Sequence, residues 1–232
     1  MNGFKKEVVC AGILFFVLFH AFPQNDNGKA LLNQKFRFRD GIFLNFDQVK
    51  SNQPILKSRI LTIVGYNDQD FYNKVLSHEV ITYFDDNGIR RQVKKDNIWG
   101  YARNGILYVQ IKGHFDRITI VGGICHFVGT ITTYETRYYD PNYQYYYPYY
   151  FYYPSYYETS TYERTEMRQF ILDFETGKIM EYNVESVEVA LMRDPELYDE
   201  YVKLGPRKKK QLKFLYIRKF NERNPVYLPA SK

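Results

Sequence analysis

Cysteine is almost missing from this chain of 232 residues, which holds only Cys10 and Cys125. That scarcity excludes a disulfide-stapled scaffold, so stability has to come from a packed core. Long apolar runs are missing too. The longest covers residues 8–22 with His20 inside it, short of the roughly 20 apolar residues a helical membrane span needs. No Gly-x-Ser-x-Gly elbow, His-Glu-x-x-His helix, Walker loop or dinucleotide fingerprint occurs. Histidine is sparse at 4, and His114 with Asp116 is the closest approach to a ligand pair, whereas a metal needs three or four converging groups. Neither a metal nor any other cofactor is therefore predicted.

What is present starts with Lys5 and Lys6 ahead of the apolar run, the layout of a secretory signal. Residues 1–23 are predicted to be that signal, so the product is exported: periplasmic, outer-membrane-associated or secreted. Cys10 stands at the front of the run and leaves with it, as do Lys5, Lys6 and Glu7. The net charge falls from +6 to +5 by that loss. The remaining length suits a single domain.

Residues 24–41 read as a polar lead in which Phe36 and Phe38 alternate with Lys35, Arg37 and Arg39. A strand over 42–46 follows, then a turn or short helix opened by Asp47 and closed before Pro54. Here the stretch GIFLNFDQVKSNQP resembles the opening of small exported proteins of Bacteroidota whose function is unknown. The later WGYARNGILYVQI and RKFNERNPVYLP are similar in style to the same group. That resemblance implies an envelope or secreted location and brings no activity or site residues with it.

From Glu79 onward the two-residue period of β-strands dominates. Strands over 80–84 and 89–93 flank Asp85-Asp86-Asn87-Gly88, and strands over 98–103 and 106–112 flank Asn104-Gly105, both turn signals. Further strands are predicted over 115–121, 124–134, 167–174 and 178–183. Asp194-Pro195-Glu196 then starts a helix, Leu204-Gly205-Pro206 ends it, and a second runs to about residue 222. The fold class is α+β: one β-rich domain over 42–232, mainly an antiparallel β meander with two C-terminal helices (about 195–222) that cover part of the sheet.

Between the strands lies the one specialised stretch. Residues 134–162 hold 14 of the 24 tyrosines, with Pro141, Pro148 and Pro154 spaced through them. A loop this long is usually functional or disordered. Its prolines favour extended backbone, and each tyrosine offers a rigid ring with a polar tip. Tyr143, Tyr145, Tyr146, Tyr147, Tyr149, Tyr150, Tyr152, Tyr153, Tyr156 and Tyr157 are the candidate contact residues. Their partner would be a glycan, the outer-membrane surface or an envelope protein. The bland alternatives are a low-complexity insertion draped over its own sheet, or tyrosine-faced strands that extend the hairpin.

Two other features carry chemistry on paper. Cys125 adjoins His126, but successive strand residues face opposite ways, so Cys125 reads as a small core residue beside Phe127 and Ile131. A small envelope hydrolase using Cys125, or a carboxylate pair drawn from Asp85, Asp86, Asp173, Glu175, Glu185 and Glu188, is the alternative function. Residues 207–223 carry eight basic side chains against Glu222 alone. An apolar set interleaved through that segment favours packing on the sheet with lysines reaching outward. Nucleic acid, which a basic aromatic stretch would otherwise suit, is disfavoured by export. The oligomeric state is left open.

Overall fold

A computed structural model describes residues 28–139 and 158–230, with 137–139 and 158–160 described by backbone alone. The segment read as a signal lies outside the described residues. In chain order the elements are β1 (Lys29–Leu31), β2 (Gly41–Phe43), α1 (Phe46–Lys50), β3 (Ile60–Leu61), α2 (Phe71–Val75), β4 (Val80–Phe84) and β5 (Arg90–Lys94). They continue with β6 (Gly100–Arg103), β7 (Ile106–Ile111), β8 (His114–Ile120), β9 (Ile124–Tyr139), β10 (Glu158–Asp173) and β11 (Ile179–Glu181). Three helices, α3 (Val184–Leu191), α4 (Pro195–Val202) and α5 (Pro206–Arg223), precede β12 (Tyr227–Pro229). The protein is thus α+β, built on a 7-stranded sheet ordered β11-β10-β9-β8-β7-β6-β2.

Every neighbouring pair in that sheet is antiparallel, and from β6 to β11 spatial order follows chain order, with short connections everywhere except between β9 and β10, which residues 140–157 join. Asn104 and Gly105 both take positive φ, 55° and 74°, the backbone that a two-residue hairpin turn requires. Lys112 and Gly113 repeat the device between β7 and β8.

The two-residue period divides the side chains between two faces. Ala102, Leu107, Val109, Ile118, Cys125, Phe127, Ile131, Phe170 and Leu172 form one core with Phe36, Phe38, Phe174 and Leu228. Residues 24–41 are therefore more than a polar lead. Lys29–Leu31 pairs with β12, and the Phe36 and Phe38 rings, in edge contact at 4.9 Å, close this face of the sheet. The alternation of Phe with Lys and Arg was the mark of a half-buried segment, so the packed domain begins before residue 42.

The opposite face carries two separate covers. At the β2–β6 end Ile42, Ile98 and Tyr101 pack beneath α2 and a small sheet ordered β3-β4-β5. At the β10–β11 end Ile124 and Ile171 meet Val187, Leu191, Leu197, Tyr201, Ile217 and Phe220 of the helices. That layer contains three helices where two were expected. The added one, α3, starts on Asn183, whose side chain accepts the Ser186 N–H, and its Val187, Ala190 and Leu191 form the buried stripe.

Two polar devices fix the helices to the sheet. Asn221 Oδ1 accepts the Ile124 N–H at 2.7 Å while its Nδ2 donates to the Ile124 carbonyl at 2.9 Å, so one amide from α5 replaces a missing strand at the start of β9. Gly122 lies so close beneath Asn221 that a Cβ there would sit 2.5 Å from the amide nitrogen. Asp194 caps α4 through the Leu197 N–H and also accepts from Arg223 Nε at 2.7 Å and Asn224 Nδ2 at 3.1 Å.

The strands β9 and β10 pair in register over their full length, from Ile124↔Asp173 to Glu158↔Tyr139. Residues 134–139 and 158–162, read from sequence as part of a tyrosine-rich loop, are strand. Threonine and tyrosine, frequent in both segments, are residues that strands favour.

Asn221→Ala should leave the Ile124 N–H and carbonyl short of partners. We expect a loss of about 2 kcal/mol in urea denaturation, the cost of stranding partly buried polar groups, with an unchanged m-value.

Candidate functional site

Along β9 the last buried apolar residue is Ile131, and on β10 the first is Phe170. No side chain described between Thr132 and Thr136, or between Thr161 and Gln169, is buried. The paired strands therefore run on as an arm, about 25 Å of ribbon at roughly 3.3 Å per residue. Its root is tied to β8: the Asp116 carboxylate accepts the Thr130 N–H at 3.1 Å, and His114 Nε2 lies 3.1 Å from the Thr132 hydroxyl. Burial raises the Asp116 pKa, while that backbone N–H pulls it back down.

Further out, cross-strand pairs take over. Thr132↔Thr165, Glu163↔Tyr134, Tyr162↔Glu135 and Thr161↔Thr136 stand opposite one another, and Arg164 reaches Glu135 at 3.6 Å. Tyr134 is 71% exposed on one face, which also carries Met167 at 80% further down the arm, and Tyr162 is 56% exposed on the other. The arm thus shows aromatic and apolar groups to solvent on both sides. All ten predicted contact tyrosines (Tyr143, Tyr145, Tyr146, Tyr147, Tyr149, Tyr150, Tyr152, Tyr153, Tyr156 and Tyr157) lie outside the described residues. The described chain leads to them from Tyr139 and resumes at Glu158, opposite it in the register.

Cys125 occupies the phenylalanine-lined face, 1% exposed, with its thiol donating to the Gly122 carbonyl at 3.3 Å. Burial pushes its pKa up to about 12, so the thiolate that nucleophilic chemistry needs is suppressed. His126 faces the helices instead. Its Nε2 lies 3.2 Å from Gln169 Oε1, its ring is in edge contact with Tyr182 and Phe214, and burial lowers its pKa. The thiol has neither a base beside it nor a path to solvent.

Of the six candidate carboxylates, Asp85, Asp86, Asp173, Glu175 and Glu188 are held by basic groups, and Glu185 stands in the first turn of α3. Asp85 takes the Asn87 and Ile89 N–H groups and Arg91 across its turn, and Asp86 pairs with Arg59. Asp173 and Glu175 both meet Arg193, whose guanidinium also lies 5.0 Å from the Phe220 ring. Glu188 holds Lys209 at 2.7 Å. Among the described residues no three His, Cys, Asp or Glu side chains converge as metal ligands would.

The basic segment largely serves the fold. Lys209 meets Glu188, Lys219 meets Glu200, and Lys213 donates to the Tyr182 carbonyl at 2.9 Å with its ammonium 3.8 Å above that ring. Arg207, Lys208, Lys210 and Arg218 remain on the exposed side.

One concavity escaped the sequence reading. A cleft of about 500 Å³ opens between the start of α2, the 3-10 turn Lys57–Arg59 and the Asn104-Gly105 turn, lined by Asp40, Lys57, Tyr66, Asp70, Tyr72 and Arg103 among others. Its residues come from four separate segments, so no spacing in the chain announces it. The one local hint is the mixture of acids and aromatics in Asn67-Asp68-Gln69-Asp70-Phe71-Tyr72.

No family model, curated protein or solved structure matches the chain.

Two outcomes follow from these environments. In a Cys10→Ala background, Ellman's reagent at pH 8 should leave native Cys125 unmodified and titrate one thiol after denaturation. Burial alone would raise the Asp194 pKa, but hydrogen bonds from Asn224, the Leu197 N–H and Arg223 together hold it below the usual carboxylate value. A folded value below the unfolded one, near 3.9, stabilises the protein above about pH 4 and is lost as pH falls through the folded value. Asp194→Asn should therefore flatten the acid limb of a stability profile measured between pH 6 and pH 2.

Proposed function

We propose that this protein is an exported, non-catalytic module of the cell envelope that makes its contact through the tyrosine-rich segment 140–157, carried at the end of the β9–β10 arm. The observation that carries this reading is the completeness of the fold without the arm. All three hydrophobic cores are assembled inboard of Ile131 and Phe170. A two-stranded ribbon that contributes nothing to a core is marginal on its own in water. Extending one so far from the domain has a use when the residues beyond it have something to reach.

The chemistry of the segment points the same way. Tyrosine presents large contact area at low conformational cost, with a ring that stacks on sugar C–H faces or packs on protein and a hydroxyl that stays wet. Interleaved prolines reduce the entropy lost when such a segment is ordered on a partner. The partner class is a surface of the envelope: its glycan, its outer membrane or a protein within it.

Deleting residues 142–155 separates fold from contact. The shortened protein should unfold cooperatively with a melting temperature within about 2 °C of the parent, since a surface change away from the core moves stability little. Its co-sedimentation with isolated cell envelopes should fall at least tenfold. Undiminished co-sedimentation, or collapse of the fold, overturns the proposal.

A further inference from the structure

We infer that the cleft beside α2 is a second binding site, built for a neutral polyhydroxylated ligand: one sugar unit of a glycan. It is independent of the tyrosine-rich segment. It sits at the β2–β6 end of the sheet, whereas the arm leaves from β9 and β10.

The primary observation is Tyr72. It lines the cleft, is 2% exposed, and its hydroxyl is buried with no hydrogen-bond partner among the described residues. An unpaired buried hydroxyl works against folding, and such groups in native proteins call for an explanation. The ring has no freedom to swing toward another partner. It stacks on Tyr101 at 5.1 Å and meets Phe71 edge-on at 5.3 Å, while Tyr101 stacks in turn on Tyr108 at 4.7 Å. Burial, aided by the Asp40 carboxylate and by Tyr101, pushes the Tyr72 pKa upward, so the group stays a neutral O–H that can donate and accept.

The other lining groups indicate what would satisfy it. Acids and bases are mixed in the same wall, with Asp40, Asp68 and Asp70 set against Lys57 and Arg103 and with Asp68 itself neutralised by Lys74, so the cleft has no strong preference for an anion or a cation. Several polar groups keep capacity. The Lys57 ammonium rests 4.4 Å above the Phe71 ring and makes no ion pair among the described residues. Arg103 touches Asp70 only at 3.8 Å and the Gln69 carbonyl at 3.3 Å, a loose arrangement that a closer acceptor would displace. Asp40 accepts the Asn104 and Gly105 N–H groups, which orients its carboxylate while leaving lone pairs unused.

At the rim Tyr66 is 49% exposed, and its hydroxyl donates to the Ile60 carbonyl at 3.1 Å, so the ring is held in place with much of its surface open. Polar groups with unused capacity, acids and bases in one wall and a fixed aromatic at the edge suit a ring bearing hydroxyls on its perimeter and C–H groups on its faces. The volume lies in the range of roughly 300–1,000 Å³ common for small-ligand sites.

The test titrates glucose, galactose, mannose and N-acetylglucosamine, each to about 20 mM, into the full chain, followed by amide chemical shifts in NMR. At least one sugar should shift resonances near Tyr66, Asp70 and Arg103 with millimolar affinity. Asp70→Asn and Arg103→Gln should each weaken that sugar about tenfold, the loss of one charge-assisted hydrogen bond. Tyr72→Phe gives the distinguishing readout. It should weaken the sugar about fivefold and raise the melting temperature by about 2–4 °C, because an unpaired hydroxyl has been removed. A purely structural Tyr72 would move stability without touching binding. The inference is overturned if no sugar shifts these resonances, or if Tyr72→Phe leaves the affinity unchanged. Since the described lining of the cleft comes from residues 40–104, deleting residues 142–155 should leave sugar binding intact even where envelope retention is lost.

Discussion

The need to cover β9 and β10 on both faces governs the rest of the molecule. Within one turn of sequence Ile124, Cys125 and Phe127 are all buried, as are Ile171 and Leu172 opposite them. A strand pair that hides alternate residues on opposite sides cannot stop at one layer. The phenylalanines of the N-terminal segment and Leu228 close one side, and the three helices close the other. The hydrophobic gain is about 25 cal/mol per Å² of apolar surface removed from water, and it is realised only when both covers are in place. The first and last described strands, β1 and β12, serve the same cover, since they pair with each other and Leu228 of β12 enters that core.

What was legible in the sequence follows from how local each signal is. The Asn104-Gly105 turn, the alternation through β7 and the Asp194-Pro195 helix start are decided by neighbours within a few residues, and they stand where the pattern placed them. The third helix was missed because the β-branched Val184, Val187 and Val189 weaken its helical signal, so that nothing was assigned between the strand predicted to end at residue 183 and the helix start at Asp194. The burial of Phe36 and Phe38 was missed for a different reason. Charged neighbours made the segment look wet, while the surface that covers those rings lies far away in the chain. Cys125 was legible because its partners on the same face, Phe127 and Ile131, are two and six residues along the same strand. The cleft at Tyr72 was not, because its walls meet only after the small sheet and α2 have folded over β6.

The basic character of α5 shows why charge counts mislead. Eight cations in one helix invite an electrostatic function, yet Lys209, Lys213, Lys219 and Arg223 reach acids, a carbonyl or aromatic faces within the fold. Exposed ion pairs are individually weak. Arg223 differs in meeting the capping acid Asp194, which is itself buried and also bonded by Asn224, so that one cluster joins the start of α4 to the end of α5. Together with the Asn221 amide on Ile124, it sets where the helical layer sits on the sheet.

The same period of two that builds the core also builds the arm, and only the side chains change. Inboard, odd residues of β9 such as Cys125, Phe127 and Ile131 face phenylalanine, and even residues such as Ile124 and His126 face the helices. Outboard, Thr133 and Glu135 continue the first face and Thr132 and Tyr134 the second, none of them buried, with Thr132 meeting His114, Thr133 the Arg164 carbonyl and Glu135 the Arg164 guanidinium. The ladder crosses this boundary without a break in register. A slip of one residue in the arm would send Cys125 and Ile124 to the wrong faces of the core, so the buried half fixes the alignment of the solvated half. That alignment holds Tyr139 opposite Glu158, and it defines the two points between which the tyrosine-rich segment is strung.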